Sequence, residues 1–229
     1  MKICIDAGHN HSGWDTGAAA NGLKEQNVTY QIALLVNKLL NQHGIKTVLT
    51  RESATQNLGT SVGSSLKKRA QLSNQEGCDY FISVHCNAGG GTGTEVLVLK
   101  KGGNAEKLAE AVLSELTGRL PLRSRGVKEA NLLVLRETNC PAILVETAFL
   151  DHPTDMQLLK TKQEEFASAI AFGILKYLGI SPIDELQSLK EELSEKWGLS
   201  DAKAVFSLLD QHPYRKDLYE KLLKSYNKE

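Results

Sequence analysis

The sequence predicts a layered α/β domain over most of its length, followed by a short helical region. Strand-like and helix-like segments alternate between residues 2 and 177, as in strands that are joined by crossover helices. At residues 179–182 a glycine, a serine and a proline mark the end of one helix and the start of another, and strand patterns disappear beyond them. The composition, 41% apolar and 24% charged, is that of an ordinary globular protein.

Each predicted element follows from a local pattern. Residues 2–7 form a short strand-like run, and residues 25–43 repeat their apolar positions with the 3.6-residue period of a helix. A strand over residues 46–50 completes a βαβ unit. The other predicted elements are a helix over 66–75, strands over 80–85 and 94–99, a helix over 105–118, strands over 132–136 and 142–146, and helices over 154–159 and 163–177.

Residues 180–229 are predicted to form a small helical accessory region. One helical face carries five large apolar residues, Ile183, Leu186, Leu189, Leu193 and Trp197. A region of this size buries little core by itself. We therefore expect it to dock on the main domain, to pack as a minimal three-helix unit, or to self-associate with another chain, and the sequence does not choose among these.

Charge and hydropathy argue against two classes of function. The 27 Lys and Arg residues balance the 27 Asp and Glu residues, so the bulk charge gives no reason to expect a nucleic-acid partner. The longest apolar runs, such as residues 142–145, are far shorter than the roughly 20 residues of a membrane span. The four cysteines lack CxxC spacing and are expected to be buried, reduced thiols.

Residues suited to catalysis stand where predicted strands end. The sequence DAGH at residues 6–9 follows the first strand, SVHCN at 83–87 closes another, and VET at 145–147 closes a third. Glu25 begins the first helix after a glycine-rich loop, on the same rim. Because ligands of open α/β sheets bind outside the carboxyl ends of the strands, we expect these residues to converge there.

His9, Glu25 and His85 make a His₂Glu set, a ligand combination of catalytic zinc with an open fourth position. Such a zinc ion lowers the pKa of a bound water to about 7 and polarises a carbonyl group. Glu146 is then the candidate general base and proton shuttle. Taken singly, the histidines also fit hydrogen-bonded loop positions, and Glu25 suits the first turn of any helix. This structural interpretation is much weaker when His9, Glu25, His85 and Glu146 are considered together.

An ordered series of motifs within residues 2–178 carries a family resemblance. The motifs are DAGH, GLKEQNVTYQIALLVNKLL, KKRAQLSNQEGCDYFISVHCNA, GTEVLVL and RGVKEANLLVLRETNCPAILVETAFL. The series resembles the zinc-dependent N-acetylmuramoyl-L-alanine amidases, which include bacterial autolysins and phage endolysins. The resemblance implies that residues 1–179 form a catalytic domain with a twisted, mostly parallel six-stranded sheet flanked by helices. It also implies one Zn²⁺ held by His9, Glu25 and His85, with Glu146 as the catalytic carboxylate.

The resemblance further implies a substrate and a place of action. The expected reaction is hydrolysis of the amide bond between the lactyl group of N-acetylmuramic acid and L-alanine in bacterial peptidoglycan. The protein would act on the cell wall. Since no signal peptide opens the sequence, we expect it to stay in the cytoplasm until lysis or release, or to have lost a leader. Residues 180–229 are then candidates for docking, self-association or wall binding. A zinc peptidase or deacylase acting on another amide, and a non-catalytic wall-binding module, are the alternatives.

Five residues are candidates for the substrate groove: Asn87, Glu95, Arg69, Arg125 and Asn131. Glu95 and Arg69 are equally interpretable as a structural ion pair. His11 is a competing metal ligand, because it stands two residues after His9, but His9 matches the family position. Cys86 replaces the alanine that is common in the family and leaves open a thiol close to the metal.

Overall fold

A six-stranded sheet lies at the centre of the unit formed by Met1–Ile180, and we describe the protein from a computed structural model. The structure describes residues 1–181, 194–195 and 221, so the predicted accessory helices of residues 180–229 lie almost entirely outside the described residues. The strands are β1 (Lys2–Ala7), β2 (Ala19–Ala20), β3 (Leu23–Lys24), β4 (Lys46–Leu49), β5 (Tyr80–Asn87), β6 (Thr94–Val98), β7 (Ser124–Glu129) and β8 (Ala142–Phe149). The helices are α1 (Glu25–Gln42), α2 (Val62–Gln75), α3 (Asn104–Arg119), α4 (Leu133–Arg136), α5 (Pro153–Thr161) and α6 (Gln163–Tyr177).

The order of the strands in the sheet is β4-β1-β5-β8-β6-β7. Neighbouring strands are parallel except for β6 and β8, which pair antiparallel. The predicted mostly parallel six-stranded sheet flanked by helices is therefore confirmed. The register places Glu146 of β8 beside His85 of β5 on one side and beside Glu95 of β6 on the other.

The alternation of side chains along the central strands creates two cores, one on each face of the sheet. Ile82 and Val84 pack into the larger core together with α1, α3 and α6. Phe81 and Leu144 pack into the smaller core together with α4 and Leu66 of α2. Because side chains on one face recur every second residue, the smaller core continues into His85 and Glu146 at the carboxyl ends of β5 and β8.

The predicted strand over residues 132–136 is wrong: these residues include the single helical turn α4. The strand beside β6 is instead β7, which the sequence analysis missed. The sequence of β7, SRGVKE, is polar because β7 lies at one of the two edges of the sheet and is only half-buried along most of its length. Val134 and Leu135 of α4 are buried by packing into the smaller core and not by strand pairing.

Two shorter features also differ from the prediction. The hairpin β2–β3 precedes α1, and its turn contains Asn21 and Gly22, both with positive φ. Asn-Gly is the usual pair for such a turn. Helix α2 begins at Val62, four residues before its predicted start, because Ser61 and Ser64 form a reciprocal capping box. Within the described residues, no helix has the length and apolar character that a membrane crossing requires.

Candidate active site

A cleft of about 320 Å³ opens where β5 and β8 end, next to the loop that follows β1. His9, Glu25, His85 and Glu146 all line this cleft, so the structure brings the four predicted residues together. The other lining residues are mainly apolar: Ala18, Leu66, Cys86, Asn87, Ala88, Leu132, Leu133, Val134 and Leu144.

His9, Glu25 and His85 converge on one point. Glu25 Oε1 lies 3.1 Å from His9 Nε2 and 3.1 Å from His85 Nδ1. One ligand atom from each of the three residues lies within 4.8 Å of the others. The two imidazole rings meet edge to face, with their centroids 4.7 Å apart. This arrangement offers two nitrogens and one carboxylate oxygen to a single cation.

Glycines make room for these side chains. A Cβ atom on Gly8 would lie 2.5 Å from His85 Nε2, and one on Gly17 would lie 2.6 Å from Glu25 Oε2. His9 itself has a φ of 65°, in the left-handed region that non-glycine residues rarely adopt. Backbone strain of this kind persists where the surroundings hold a residue in a functional geometry.

The charges around the convergence point favour a cation. Burial opposes the ionised form of Glu25, but hydrogen bonds from His85 and His9 outweigh burial and hold the pKa of Glu25 well below its usual range. Burial also favours neutral His9, yet its hydrogen bonds with Asp15 and Glu25 raise the pKa of His9 to about 9. The site is thus electronegative enough to retain a proton on an imidazole at neutral pH.

Glu146 faces the same cleft in a different environment. Burial raises the pKa of Glu146 to about 6; the nearby His85 lowers this pKa, whereas the negative charges of Glu25 and Glu95 raise it further. Its Oε2 atom is buried and has no hydrogen-bond partner among the described residues. A buried carboxylate oxygen without a partner is costly, and such an atom in a cleft indicates a ligand or proton-transfer role.

Three of the five groove candidates form one cluster beside Glu146. Asn87 Nδ2 donates to Glu95 Oε1 at 3.1 Å, and Arg125 Nε donates to Glu95 Oε2 at 2.7 Å. Lys128 also donates to Glu95 Oε2. Of these residues, Asn87 lines the cleft. Asn131 is exposed outside the cleft lining and accepts a hydrogen bond from Arg136.

The fifth candidate, Arg69, does not reach the cleft. Its side chain is 1% exposed, and Nη1 donates to Asp6 Oδ1 at 2.8 Å and to the Ala7 carbonyl oxygen at 2.7 Å. The predicted substrate contact of Arg69 is therefore wrong. The alternative ion pair between Arg69 and Glu95 is wrong too, because Glu95 pairs with Arg125 and Lys128.

Neither His11 nor the Cys86 thiol joins the ligand set. His11 is exposed and lies outside the cluster. Cys86 packs into the larger core, and its burial raises the pKa of the thiol well above the usual value, so that it stays protonated. Its backbone N–H nevertheless donates to Glu25 Oε1 at 3.0 Å. All four cysteines are unpaired, and Cys140 is only half-buried.

Sequence reasoning missed one polar residue at the site. Asp15 Oδ1 lies 3.3 Å from His9 Nδ1, on the loop between β1 and β2. No strand end or helix start marks Asp15 in the sequence, and its contact depends on the path of the loop.

Known proteins share both the sequence and this architecture. The family model described as N-acetylmuramoyl-L-alanine amidase matches residues 3–176. The chain is 41% identical over 175 residues to the N-acetylmuramoyl-L-alanine amidase CwlM of Bacillus licheniformis, covering 76% of this chain and 65% of CwlM. It is 34% identical over 179 residues to the endolysin of Bacillus phage SPP1, covering 75% of this chain and 62% of the endolysin. The match thus covers slightly less than two thirds of either relative.

The crystal structure of an N-acetylmuramoyl-L-alanine amidase from Clostridium difficile 630 is similar in fold, with a TM-score of 0.69 at 36% identity. The similarity covers 78% of this chain and 96% of that chain. An amidase from Nostoc punctiforme, AmiC2, gives a TM-score of 0.68 at 32% identity, over 78% of this chain and 97% of that one. Sequence, fold and the match over residues 3–176 agree, and the chain belongs to the N-acetylmuramoyl-L-alanine amidase family.

Proposed function

We propose that the protein is a zinc-dependent amidase that hydrolyses the bond between the lactyl group of N-acetylmuramic acid and L-alanine in bacterial peptidoglycan. The observation that carries this proposal is the convergence of His9, Glu25 and His85 next to Glu146, a half-buried residue whose Oε2 atom is buried and unpartnered. Membership of the amidase family supports the lactyl–L-alanine amide as the bond that is hydrolysed, and the two histidines and the glutamate support zinc as the metal.

The residues present fit one Zn²⁺. Two imidazoles and one carboxylate are a ligand set of catalytic zinc. Tetrahedral zinc ligands with bond lengths of about 2.1 Å lie roughly 3.4 Å apart, close to the 3.1 Å between Glu25 Oε1 and each histidine nitrogen. The carboxylates of Asp15 and Glu25, which raise the pKa of His9 to about 9 in the metal-free protein, support the proposal that this point favours a positive charge. His9 Nε2, Glu25 Oε1 and His85 Nδ1 are the atoms that would hold the ion.

A zinc ion in this position would polarise the amide carbonyl and lower the pKa of a water molecule. Glu146 takes the proton from the attacking water and then delivers it to the departing alanine nitrogen, which cannot leave as an amide anion. Burial raises the pKa of Glu146 to about 6 in the metal-free protein, and this shift favours a carboxylate that both takes up and returns a proton near neutral pH. The unpartnered Oε2 atom is free to carry that proton.

The rest of the cleft would position the substrate. Its apolar wall, formed in part by Leu66, Leu132 and Leu144, suits small apolar groups such as the methyl groups of the lactyl unit and of L-alanine. Asn87 lies between this wall and the Glu95–Arg125 pair. We propose Asn87, Glu95 and Arg125 as substrate-contacting residues, and Asn131 as a contact at the exposed margin.

Residues 1–179 are proposed as the catalytic domain and residues 180–229 as an accessory region for docking, self-association or wall binding. The protein would act on the bacterial cell wall.

The test of the proposed bond is digestion of purified peptidoglycan, followed by labelling and identification of the amino termini that are released. The proposal requires new L-alanine amino termini. Amino termini of other stem-peptide residues would favour a zinc peptidase instead. The Glu146→Gln variant, assayed on the same material, should release almost none, whereas equal release by parent and variant would contradict the role of Glu146.

A further inference from the structure

A buried chain of hydrogen bonds lies behind His9. The ring of His9 presents Nε2 to Glu25 at 3.1 Å and Nδ1 to Asp15 Oδ1 at 3.3 Å. The side chain of Asp15 is 7% exposed, so this contact is largely shielded from water. The two nitrogens of His9 therefore have different partners: one faces the metal-binding point and the other faces a carboxylate.

Asp15 is itself held on several sides. Ser65 Oγ donates to Asp15 Oδ2 at 2.6 Å, and Arg69 Nη2 lies 3.5 Å from the same oxygen. The carbonyl oxygen of Asp15 accepts the backbone N–H of Asn10 at 2.8 Å. Asp15 has a φ of 60°, a left-handed conformation that costs energy and that these contacts maintain.

Arg69 connects Asp15 to the sheet. Its Nη1 atom donates to Asp6 Oδ1 and to the Ala7 carbonyl oxygen, both in β1. Asp6 also accepts hydrogen bonds from Thr50 Oγ1 and Ser83 Oγ, each at 2.6 Å. The chain Asp6–Arg69–Asp15–His9 thus runs from the buried strands to the candidate metal ligand. Arg69 therefore supports the site by holding Asp15 and does not need to contact the substrate.

We propose that Asp15 is a positioning residue, whose carboxylate accepts the Nδ1–H of His9 and so fixes the tautomer and ring orientation that leave Nε2 free to bind the metal. The inference rests on the proposed zinc site. Histidines that bind metals commonly donate their other ring N–H to a carboxylate, which orients the ring and makes the ligand nitrogen more basic. If Asp15 served only to shape the loop, the hydrogen bond between its carbonyl oxygen and the backbone N–H of Asn10 would suffice. Its carboxylate would then need no contact with His9.

The test is the zinc affinity of Asp15 variants, measured in the full chain by competition with a chromogenic chelator. Asp15→Ala removes the acceptor and is expected to weaken zinc binding by about 10–100-fold. Asp15→Asn keeps an oxygen that accepts the Nδ1–H and is expected to lose less than about tenfold. Nitrogen-detected NMR of the zinc-loaded parent should show His9 as the Nδ1–H tautomer.

Asp155→Asn is the matched control. Asp155 is also a buried aspartate, and its Oδ2 accepts the backbone N–H groups of Gly93 and Phe149. Its replacement should lower the free energy of unfolding but leave the dissociation constant for zinc unchanged. If the parent binds zinc and Asp15→Ala binds it within twofold of the parent, or if His9 carries its proton on Nε2, the positioning role is overturned. Failure of the parent to bind zinc would instead overturn the proposed function.

Discussion

Replacement of Glu146 by Gln should abolish catalysis and at the same time stabilise the protein. The amide of Gln has nearly the same shape as the carboxyl group but cannot take a proton from water at neutral pH. Proton transfer by a positioned side chain contributes about 10²–10⁴-fold to a rate. The release of L-alanine amino termini from peptidoglycan by Glu146→Gln should therefore fall by about that factor, because no other carboxylate in the described cleft has an unpartnered oxygen.

Although Glu146→Gln should lower the rate, it should increase the stability of the folded protein. In the metal-free protein, burial raises the pKa of Glu146 from its ordinary value of 4.5 to about 6. Below pH 4.5 the protonated acid is compatible with its buried site, and the penalty for ionisation grows as the pH rises through 6. Since one pKa unit corresponds to about 1.4 kcal/mol, the ionised group destabilises the folded state by about 2 kcal/mol at pH 7. Glu146→Gln removes this penalty and should raise the Tm by several degrees.

The assays are thermal unfolding of the metal-free protein at pH 7 and at pH 4, together with peptidoglycan digestion by the zinc-loaded protein. The stabilisation should be present at pH 7 and nearly absent at pH 4. Glu110→Gln, at an exposed position of α3, is the control and should change neither the rate nor the Tm. A Glu146→Gln protein that keeps more than a tenth of the parent activity, or that melts below the parent at pH 7, would refute the reasoning.

Three further predictions concern the pH dependence of the activity, the buried Arg69 ion pair and the glycine that packs against Glu25. The kcat/KM for peptidoglycan should fall as the pH drops from 7 to 5, because burial favours the protonated form of Glu146, which cannot take a proton from water, and an unchanged value over this range would contradict this role. Arg69→Met breaks a buried ion pair and should lower the free energy of unfolding by about 3–5 kcal/mol in urea denaturation, whereas an arginine that served only substrate binding would leave stability unchanged. Gly17→Ala places a methyl group 2.6 Å from the Glu25 carboxylate and should reduce zinc content at fixed free zinc, while Gly118→Ala, which meets open space in α3, should not.

The sequence was sufficient to predict the central strands, the site residues His9, His85 and Glu146 where these strands end, and Glu25 at the start of α1. The apolar runs of β1, β5 and β8 and the period of α1 are strong local signals, and parallel strands must bring their carboxyl ends to one edge. These sequence patterns alone therefore group His9, Glu25, His85 and Glu146. The structure places these residues together, whereas their chemical roles stay predictions until they are measured.

The errors have physical causes in the packing of the chain. Strand β7, at an edge of the sheet, has a polar sequence because much of it is exposed to water, so that no apolar run predicts it. Helix α4 has a short, mainly apolar sequence of the kind that also occurs in buried strands. Arg69 stands in the basic stretch LKKRAQ of a helix, where nothing local distinguishes the buried arginine from its exposed neighbours. Its burial depends on Asp6, which is 63 residues away in the chain. Asp15 was not predicted because only the path of the loop after β1 brings its carboxylate to His9.

We propose that a zinc ion at His9, Glu25 and His85 supports amide hydrolysis. The most direct test is to remove all metal from the protein with a chelator and to titrate zinc back, while following the release of L-alanine amino termini from peptidoglycan. The metal-free protein should release no L-alanine amino termini, and full activity should return at one zinc ion per chain. Activity that survives complete metal removal would contradict it.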